Sequence, residues 1–282
     1  MNDLDSFINN ALAEDIGEGD HTSLACIPTK AIGSAQLLVK EKGIAAGVEL
    51  ASLIAKKTDP KLRLRLLIKD GARIKPGDVI FTLHGPTRSI LKAERLILNC
   101  MQRMSGIATK TDQLLQLCKG TNVKVMDTRK TTPGIRFLEK WAVKIGGGNN
   151  HRFGLYDMIL IKDNHIDYAG GISPAIEAAI NYRKKHRKYS GLKIEIEARN
   201  LAEVKQIMTI GNIDRIMLDN FSISDIKKAV RLIKGKYETE ASGGITEKNI
   251  RNYARCGVDY ISIGALTHSI KSLDLSLKAC KK

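Results

Sequence analysis

The sequence predicts an α/β protein in two parts. A turn-rich first part with short strands spans residues 1–105, and a parallel sheet or barrel with helices outside spans residues 106–282. Three observations predict this. Beyond residue 120, apolar strand-like runs alternate with helical stretches, a rhythm that demands parallel crossovers. Six of those runs end on polar residues or glycine. Before them, Asp70-Gly71 and Pro76-Gly77-Asp78 mark tight turns between short strands.

Taken in order, Leu4, Phe7, Ile8, Ala11 and Leu12 recur at helical spacing and predict a helix over residues 3–14. Gly17 and Gly19 break it. Strands follow at Ala35–Lys40 and Leu62–Ile68, and the segment from Asp70 to Gly85, with a strand at Val79–Leu83, reads as hairpins. A long helical pattern then runs from Ser89 to Leu117, interrupted at Gly106, where the boundary falls. Strands are expected at Val123–Met126, Met158–Ile161, Ile194–Glu197, Ile216–Leu218, Glu238–Ala241 and Tyr260–Ile263. Helices are expected at Pro174–Arg183, Leu201–Ile210, Ile223–Ile233 and Thr246–Cys256. The last helix of the chain is expected to pack back on the N-terminal domain.

Composition excludes several classes. Hydrophobic residues at 43% and charged residues at 27% describe an ordinary globular chain, not a disordered or fibrous one. No run approaches the roughly 18 apolar residues of a membrane span. The polar, acidic start, Met1 to Asp5, argues against a secretory or transit segment. Five cysteines, an odd number with no CxxC pair, argue against a disulfide framework or zinc knuckle and point to the reducing cytoplasm. The net charge is +16, and residues 1–105, with 15 basic and 12 acidic side chains, carry little of it. The C-terminal part therefore expects an anionic partner. Nucleic acid is disfavoured, because aromatics are 5% and no binding motif interleaves the basic residues. The dense run from Arg183 to Lys188 reads as a solvated loop.

The strand ends carry the chemistry. They are Asp127-Thr128-Arg129-Lys130, Lys162-Asp163-Asn164-His165, Glu195-Ile196-Glu197, Asp219-Asn220, Ser242-Gly243-Gly244 and Gly264-Ala265. In a barrel these ends converge on one rim, where active sites lie. Ser242-Gly243-Gly244 and Gly264-Ala265 suit a phosphate cup, since glycine lets backbone N–H groups approach an anion and a following helix start adds its positive end. Arg129, Lys130, Arg152 and Lys162 form a cationic set, with His151 beside Arg152. Gly146-Gly147-Gly148-Asn149-Asn150 reads either as a flexible surface loop or as one that closes cations over an anion. Glu195 and Glu197 share one strand face, for a metal or ribose hydroxyls, although Glu195 reads equally as a buried partner of a lysine. Asp219 joins them. Without a Cys/His cluster, oxygen ligands suit Mg²⁺ held mainly through substrate phosphates. The residues alone describe a metal-assisted barrel enzyme acting on an anionic, phosphorylated sugar.

Asp127–Gly134 (DTRKTTPG), Lys144–Asp157 (KIGGGNNHRFGLYD) and Ile161–His165 (IKDNH) closely resemble the quinolinate phosphoribosyltransferases. The resemblance continues through Glu14–Ser23, Ala93-Glu94-Arg95 with Ser105–Thr109, Ile216–Asn220, Ser242–Ile245 and Ser262–His268, nearly the whole chain in order. It implies a type II phosphoribosyltransferase-like fold: an N-terminal α/β sandwich and a C-terminal incomplete α/β barrel. It implies transfer of phosphoribosyl from phosphoribosyl pyrophosphate to quinolinate with Mg²⁺, giving nicotinate mononucleotide, pyrophosphate and CO₂ in de novo NAD synthesis. It also implies a homodimer in which Arg95 reaches the neighbouring subunit's site. By the same resemblance, Arg129, Arg152 and that Arg95 bind quinolinate's carboxylates, with Thr128 and His151 alongside. Lys130 and Lys162 meet carboxylate and pyrophosphate charge, and Glu197 and Asp219 hold ribose hydroxyls, directly or through Mg²⁺. Ser242, Gly243, Gly264 and His268 take the 5′-phosphate. A phosphoribosyltransferase-like protein of molybdenum transport shares the fold, and the cationic set for two carboxylates argues against it.

Overall fold

A computed structural model of the chain describes residues 2–280; Met1, Lys281 and Lys282 lie outside them. The chain divides into two compact units. The first takes the residues up to Asp112, Lys144–Gly147 and the segment from Ile270 onward; the second takes Gln113–Val143 and Gly148–Ser269.

In the first unit, α1 (Asn2–Ile16) realises the N-terminal periodicity and sinks Ile8 into the core. The short α2 (His21–Cys26), unanticipated in sequence, starts at Asp20, whose carboxylate accepts from Ser23 N at 3.0 Å. β1 (Ile32–Val39), β2 (Gly43–Ile44), α3 (Val48–Thr58), β3 (Arg63–Leu66), β4 (Arg73–Ile74), β5 (Val79–Pro86) and α4 (Thr87–Leu117) follow. A four-stranded antiparallel sheet runs in the order C-terminal strand (Leu275–Ala279), β1, β5, β3. Its inward side chains, among them Leu37, Phe81 and Leu83, form the core with one face of α3.

Three expectations are corrected here. No local hairpins form between Asp70 and Gly85: β4 pairs with β2, and β5 pairs with β1 and β3. The turns themselves exist, with φ of 84° at Gly71 and 93° at Gly77. Gly106 does not interrupt α4. A side chain there would press into the Lys271 carbonyl oxygen, so the glycine serves close backbone approach. The final element is a strand and not a helix, because buried Leu275 and Leu277 alternate with Ser276 and Lys278.

The second unit carries β6 (Lys124–Met126), α5 (Arg136–Ile145), β7 (Ile159–Ile161), α6 (Asp163–Tyr168), α7 (Ile172–Lys185) and β8 (Ile194–Ala198). α8 (Leu201–Ile210), β9 (Arg215–Asp219), α9 (Ile223–Ile233), β10 (Glu238–Ser242), α10 (Ile250–Ala254), β11 (Tyr260–Ser262) and α11 (Ala265–His268) complete it, so the C-terminal strand is β12. All neighbours are parallel, in the order β6-β11-β10-β9-β8-β7. Laid flat, five strand spacings would hold the edges about 24 Å apart. Instead Arg129 beyond β6 and Leu160 of β7 line one cavity with Met217 of central β9. The sheet is therefore curled into a barrel left open between β6 and β7. At that seam Asn149 forms a single parallel bridge to Met126, and its N–H donates to Val125 O at 2.8 Å. The glycine run before it is pinned, not a flexible surface loop.

The basic run is only partly a loop. Arg183–Lys185 close α7, where cations suit the helix end, and the rest lies in a 3-10 turn and at the surface. Arg183 pairs with Asp214 at 3.6 Å. No described helix is long and apolar enough to cross a membrane.

Candidate active site

The C-terminal ends of the strands converge on a cavity of ≈ 630 Å³. Thr128, Arg129 and Lys130 enter it after β6, Lys162 after β7, and Glu197 from β8. Asp219 ends β9, Ser242 ends β10 with Gly243 directly after it, Gly264 follows β11 and His268 ends α11. His151 and Arg152 come from the loop after the glycine run. Every site residue expected in the barrel thus lines this one cavity. Arg95 does not line it; it is exposed on α4 of the first unit.

The cations are held by specific partners. Thr128 Oγ1 accepts from Lys130 N at 3.0 Å, and Thr267 Oγ1 donates to the Lys130 carbonyl at 2.7 Å, so the loop after β6 is fixed at both faces. Arg129 Nε is buried with no hydrogen-bond partner, a donor that a ligand anion would satisfy. Arg152 Nη1 donates to Met158 O at 3.2 Å. Burial first, and Arg129 second, lower the pKa of Arg152. Lys162 Nζ meets Glu197 Oε1 at 2.5 Å, and the second Glu197 oxygen accepts from Asp163 N at 3.2 Å.

The glycine cup differs from expectation in one respect. The helix start anticipated directly after Ser242-Gly243-Gly244 is absent, since α10 begins only at Ile250. At the second turn a helix does start at once, since α11 begins at Ala265 with Gly264 as its cap. Gly243 has φ 90°, and a Cβ there would collide with the Asn220 amide, itself at φ 55°. At Gly264 a Cβ would stand 2.9 Å from Lys130 Cδ and 3.2 Å from the His268 ring. The missing side chain makes room for a cation to lie against the cup.

Below the rim lies a layer whose links, and whose Lys140, sequence reading missed. Asp127, Lys140 and His151 are all buried. Asp127 Oδ1 accepts from Lys140 Nζ at 2.5 Å and from His151 N at 2.9 Å, and Lys140 also donates to His151 O at 3.1 Å. This buried pair clamps the Arg129–Lys130 loop to the His151–Arg152 loop. Burial raises the Asp127 pKa and lowers that of Lys140, each opposed by the partner's charge. Deeper still, Glu195 and Glu240 share the barrel interior with Arg215. Arg215 Nη1 is 2.9 Å from Glu240 Oε2 and 3.6 Å from Glu195 Oε2. The partners of Glu195 are Arg215 and His151, not a lysine. Burial pushes Glu195 up to about 7; burial and then Glu195 push Glu240 up to about 8. Glu240 was findable: it sits two residues before Ser242 on β10, hence on the same inward face. Lys140 gave no such signal.

Two sets of side chains have metal-like chemistry. Glu197 and Asp219 offer hard oxygens at the rim, and Asp219 Oδ2 already accepts from Asn220 Nδ2 at 2.7 Å. His151, Glu195 and Glu240 bring ligand atoms within 4.8 Å of one another, but Arg215 supplies the positive charge there.

Comparison with known proteins places this geometry. Residues 20–105 match the family described as quinolinate phosphoribosyl transferase, N-terminal domain, and residues 107–278 match its C-terminal domain. A quinolinate phosphoribosyltransferase [decarboxylating] 1b from Nicotiana tabacum is 44% identical over 98% of this chain and 82% of its own length. A probable nicotinate-nucleotide pyrophosphorylase [carboxylating] of Bacillus subtilis is 42% identical over 97% of this chain and 92% of its own. A solved nicotinate-nucleotide pyrophosphorylase from Francisella tularensis superposes with a TM-score of 0.92 at 40% identity, covering 99% of this chain and 96% of that one. Among the plant relatives are chloroplastic and mitochondrial forms.

Proposed function

The chain belongs to the quinolinate phosphoribosyltransferase family, and from that premise we infer that it joins quinolinate to phosphoribosyl pyrophosphate. The products are nicotinate mononucleotide, pyrophosphate and CO₂, in de novo NAD synthesis. The observation that carries the reading is the single cavity that gathers four cations, two rim carboxylates and two glycine turns from six strand ends.

The chemistry follows from that arrangement. Arg129, with its unpartnered Nε, and Arg152 take the two carboxylates of quinolinate, while Leu160 and Met217 give its ring an apolar wall. Ser242, Gly243, Gly264 and His268 receive the 5′-phosphate. The pyridine nitrogen attacks ribose C1 as pyrophosphate leaves, through a transition state with positive charge on the sugar. Glu197 and Asp219 offset that charge, and Lys130 and Lys162 offset the charge growing on the leaving group. The Lys162–Glu197 contact keeps both groups poised at the reaction axis. Once quaternised, the ring nitrogen stabilises the carbanion left when the 2-carboxylate departs as CO₂; no protein base starts that step, and the carbanion then takes a proton from water.

Mg²⁺ fits the donor set. Glu197 already accepts from Lys162 and Asp163, and Asp219 from Asn220, so few protein oxygens remain, which suits an ion carried mainly by substrate phosphates. When bound, it would neutralise pyrophosphate charge. We also propose a homodimer in which Arg95 of one subunit completes the neighbour's quinolinate site. Large apolar side chains left open, Leu91 near Arg95 and Leu155 and Tyr156 after Arg152, support an assembly that covers them. The cytoplasm is the proposed location, in keeping with five free cysteines.

The test supplies purified protein with phosphoribosyl pyrophosphate, Mg²⁺ and either quinolinate or nicotinate. Nucleotide and CO₂ from quinolinate alone are expected. Equal use of nicotinate, or no turnover of quinolinate, would overturn the assignment.

A further inference from the structure

We propose that α5 sets the separation of Arg129 and Arg152, and that Arg136 at its start is a positioning residue through which the site selects two adjacent carboxylates. This rests on the reading of the cavity given above and deepens it.

The ties come from one face of α5. Arg136, Glu139 and Lys140 stand at i, i+3 and i+4, so their side chains share that face. Each grips a segment next to a substrate cation. Lys140 Nζ reaches Asp127, two residues before Arg129, and the carbonyl of His151, one residue before Arg152. Glu139 accepts from Thr132 N at 3.0 Å and from Thr132 Oγ1 at 2.8 Å. Arg136 makes the outer tie. Its Nη1 donates at 2.9 Å to Phe153 O, one residue beyond Arg152, and its Nε donates to Thr131 Oγ1 at 2.9 Å. Its Nη2 donates to the carbonyl of Arg129 itself at 3.4 Å. Asn150, in the amide orientation that satisfies both acceptors, donates to Lys140 O at 3.0 Å and to Asp127 Oδ2 at 2.8 Å. The stretches on both sides of Arg129 and of Arg152 are therefore held by one helix. Asp127 and Lys140 grip His151 by its backbone alone, and His151 still lines the cavity.

Stability alone does not account for these charges. Arg136 opens α5, the end where a cation opposes the helix dipole. A buried pair such as Lys140–Asp127 is often no better for the fold than apolar side chains of the same size. Nor would any cation serve at position 136. Three acceptors on two segments need the spread donors of a guanidinium, which a lysine ammonium lacks. What the arrangement does supply is a fixed spacing. Two carboxylates on neighbouring ring carbons need two guanidinium groups at one separation, and a helix tied to both segments maintains it.

The test reads that spacing directly. Calorimetric titration with phthalate, whose two carboxylates are adjacent, and with isophthalate, whose carboxylates stand one ring carbon further apart, needs no turnover. The wild type should bind phthalate about tenfold more tightly or better. Arg136→Met should weaken phthalate about tenfold and isophthalate less than about twofold. Arg136→Lys, which keeps the charge and loses the fork, should behave as the Met variant does. A wild type without preference for phthalate, unchanged phthalate binding in either variant, or equal weakening of both ligands would overturn the proposal. Full recovery with lysine would also overturn it, since charge alone would then be what Arg136 supplies. In steady-state assays Arg136→Met should raise the quinolinate KM about tenfold and leave the phosphoribosyl pyrophosphate KM within about twofold. Equal losses for both substrates would mean that α5 serves the fold alone. If the wild type binds phthalate but does not turn over quinolinate, the functional assignment falls, and the two-ligand comparison still decides this proposal. If Arg136→Met does not fold, Arg136→Lys decides it by the same comparison.

Discussion

Replacing Arg129 with alanine should separate stability from affinity, and the structure gives the sign of each. In the free protein the Arg129 Nε is a buried donor without a partner, and its charge lowers the pKa of neighbouring Arg152. An unsatisfied buried group of this kind costs about 1–3 kcal/mol. Its removal returns part of that cost and leaves a small void, so thermal unfolding should hold within about 2 °C or rise. Binding should move the other way. Truncating one partner of a desolvated charge pair costs about 2–5 kcal/mol, which raises the KM for quinolinate by roughly 30-fold to 4000-fold. Paired assays of melting temperature and quinolinate KM on Arg129→Ala measure both. A fall in melting temperature of several degrees with an unchanged KM would show that Arg129 holds the fold, and the anion-site reasoning would be refuted.

Four further outcomes are expected. Lys162→Ala should lower kcat by about 10²-fold or more while changing KM less, because leaving-group charge grows in the transition state; a loss confined to KM would count against its role. Gly264→Ala should raise the KM for phosphoribosyl pyrophosphate about tenfold, since a Cβ meets Lys130 Cδ at 2.9 Å; an unaffected KM would remove Gly264 from the cup. Glu240, with an ordinary value of 4.5 pushed up to about 8, keeps its proton on folding, so stability should fall as pH rises between those values. Glu240→Gln should flatten that slope in melting curves, and parallel slopes would sink the argument. Finally, mixing an Arg95→Ala subunit with an Arg129→Ala subunit should restore activity if Arg95 acts across a dimer, whereas confirmed mixed dimers without rescue would refute the shared site.

The barrel was legible because its strands are apolar runs whose C-terminal ends switch abruptly to polar residues or glycine. β8 and β9 fall within a residue or so of their expected bounds, and the rim residues from Thr128 to His268 meet in one cavity. What sequence could not show was how the interior charges pair. Strand register turns Glu195 and Glu240 inward, but Arg215, which lies between them, carries no local sign that it is their partner. Lys140 hides in the same way on α5, because its partner Asp127 is 13 residues away on another element. Gly106 read as a break for a related reason. The backbone that needs its missing side chain is Lys271, and no local pattern announces a neighbour so distant along the chain.

The antiparallel sheet of the first unit is completed beside β1 by residues 275–279, which are synthesised after the whole barrel. On a ribosome the nascent first unit therefore waits, with one flank of β1 bare, while the whole barrel emerges. At 5–20 residues per second, the stretch from Asp112 to β12 takes roughly 8–33 s. The barrel has time to fold before the earlier-made part can close. A truncation that removes β12 should leave a chain with an open sheet flank, prone to pairing with others of its kind, even though every residue of the cavity is still present.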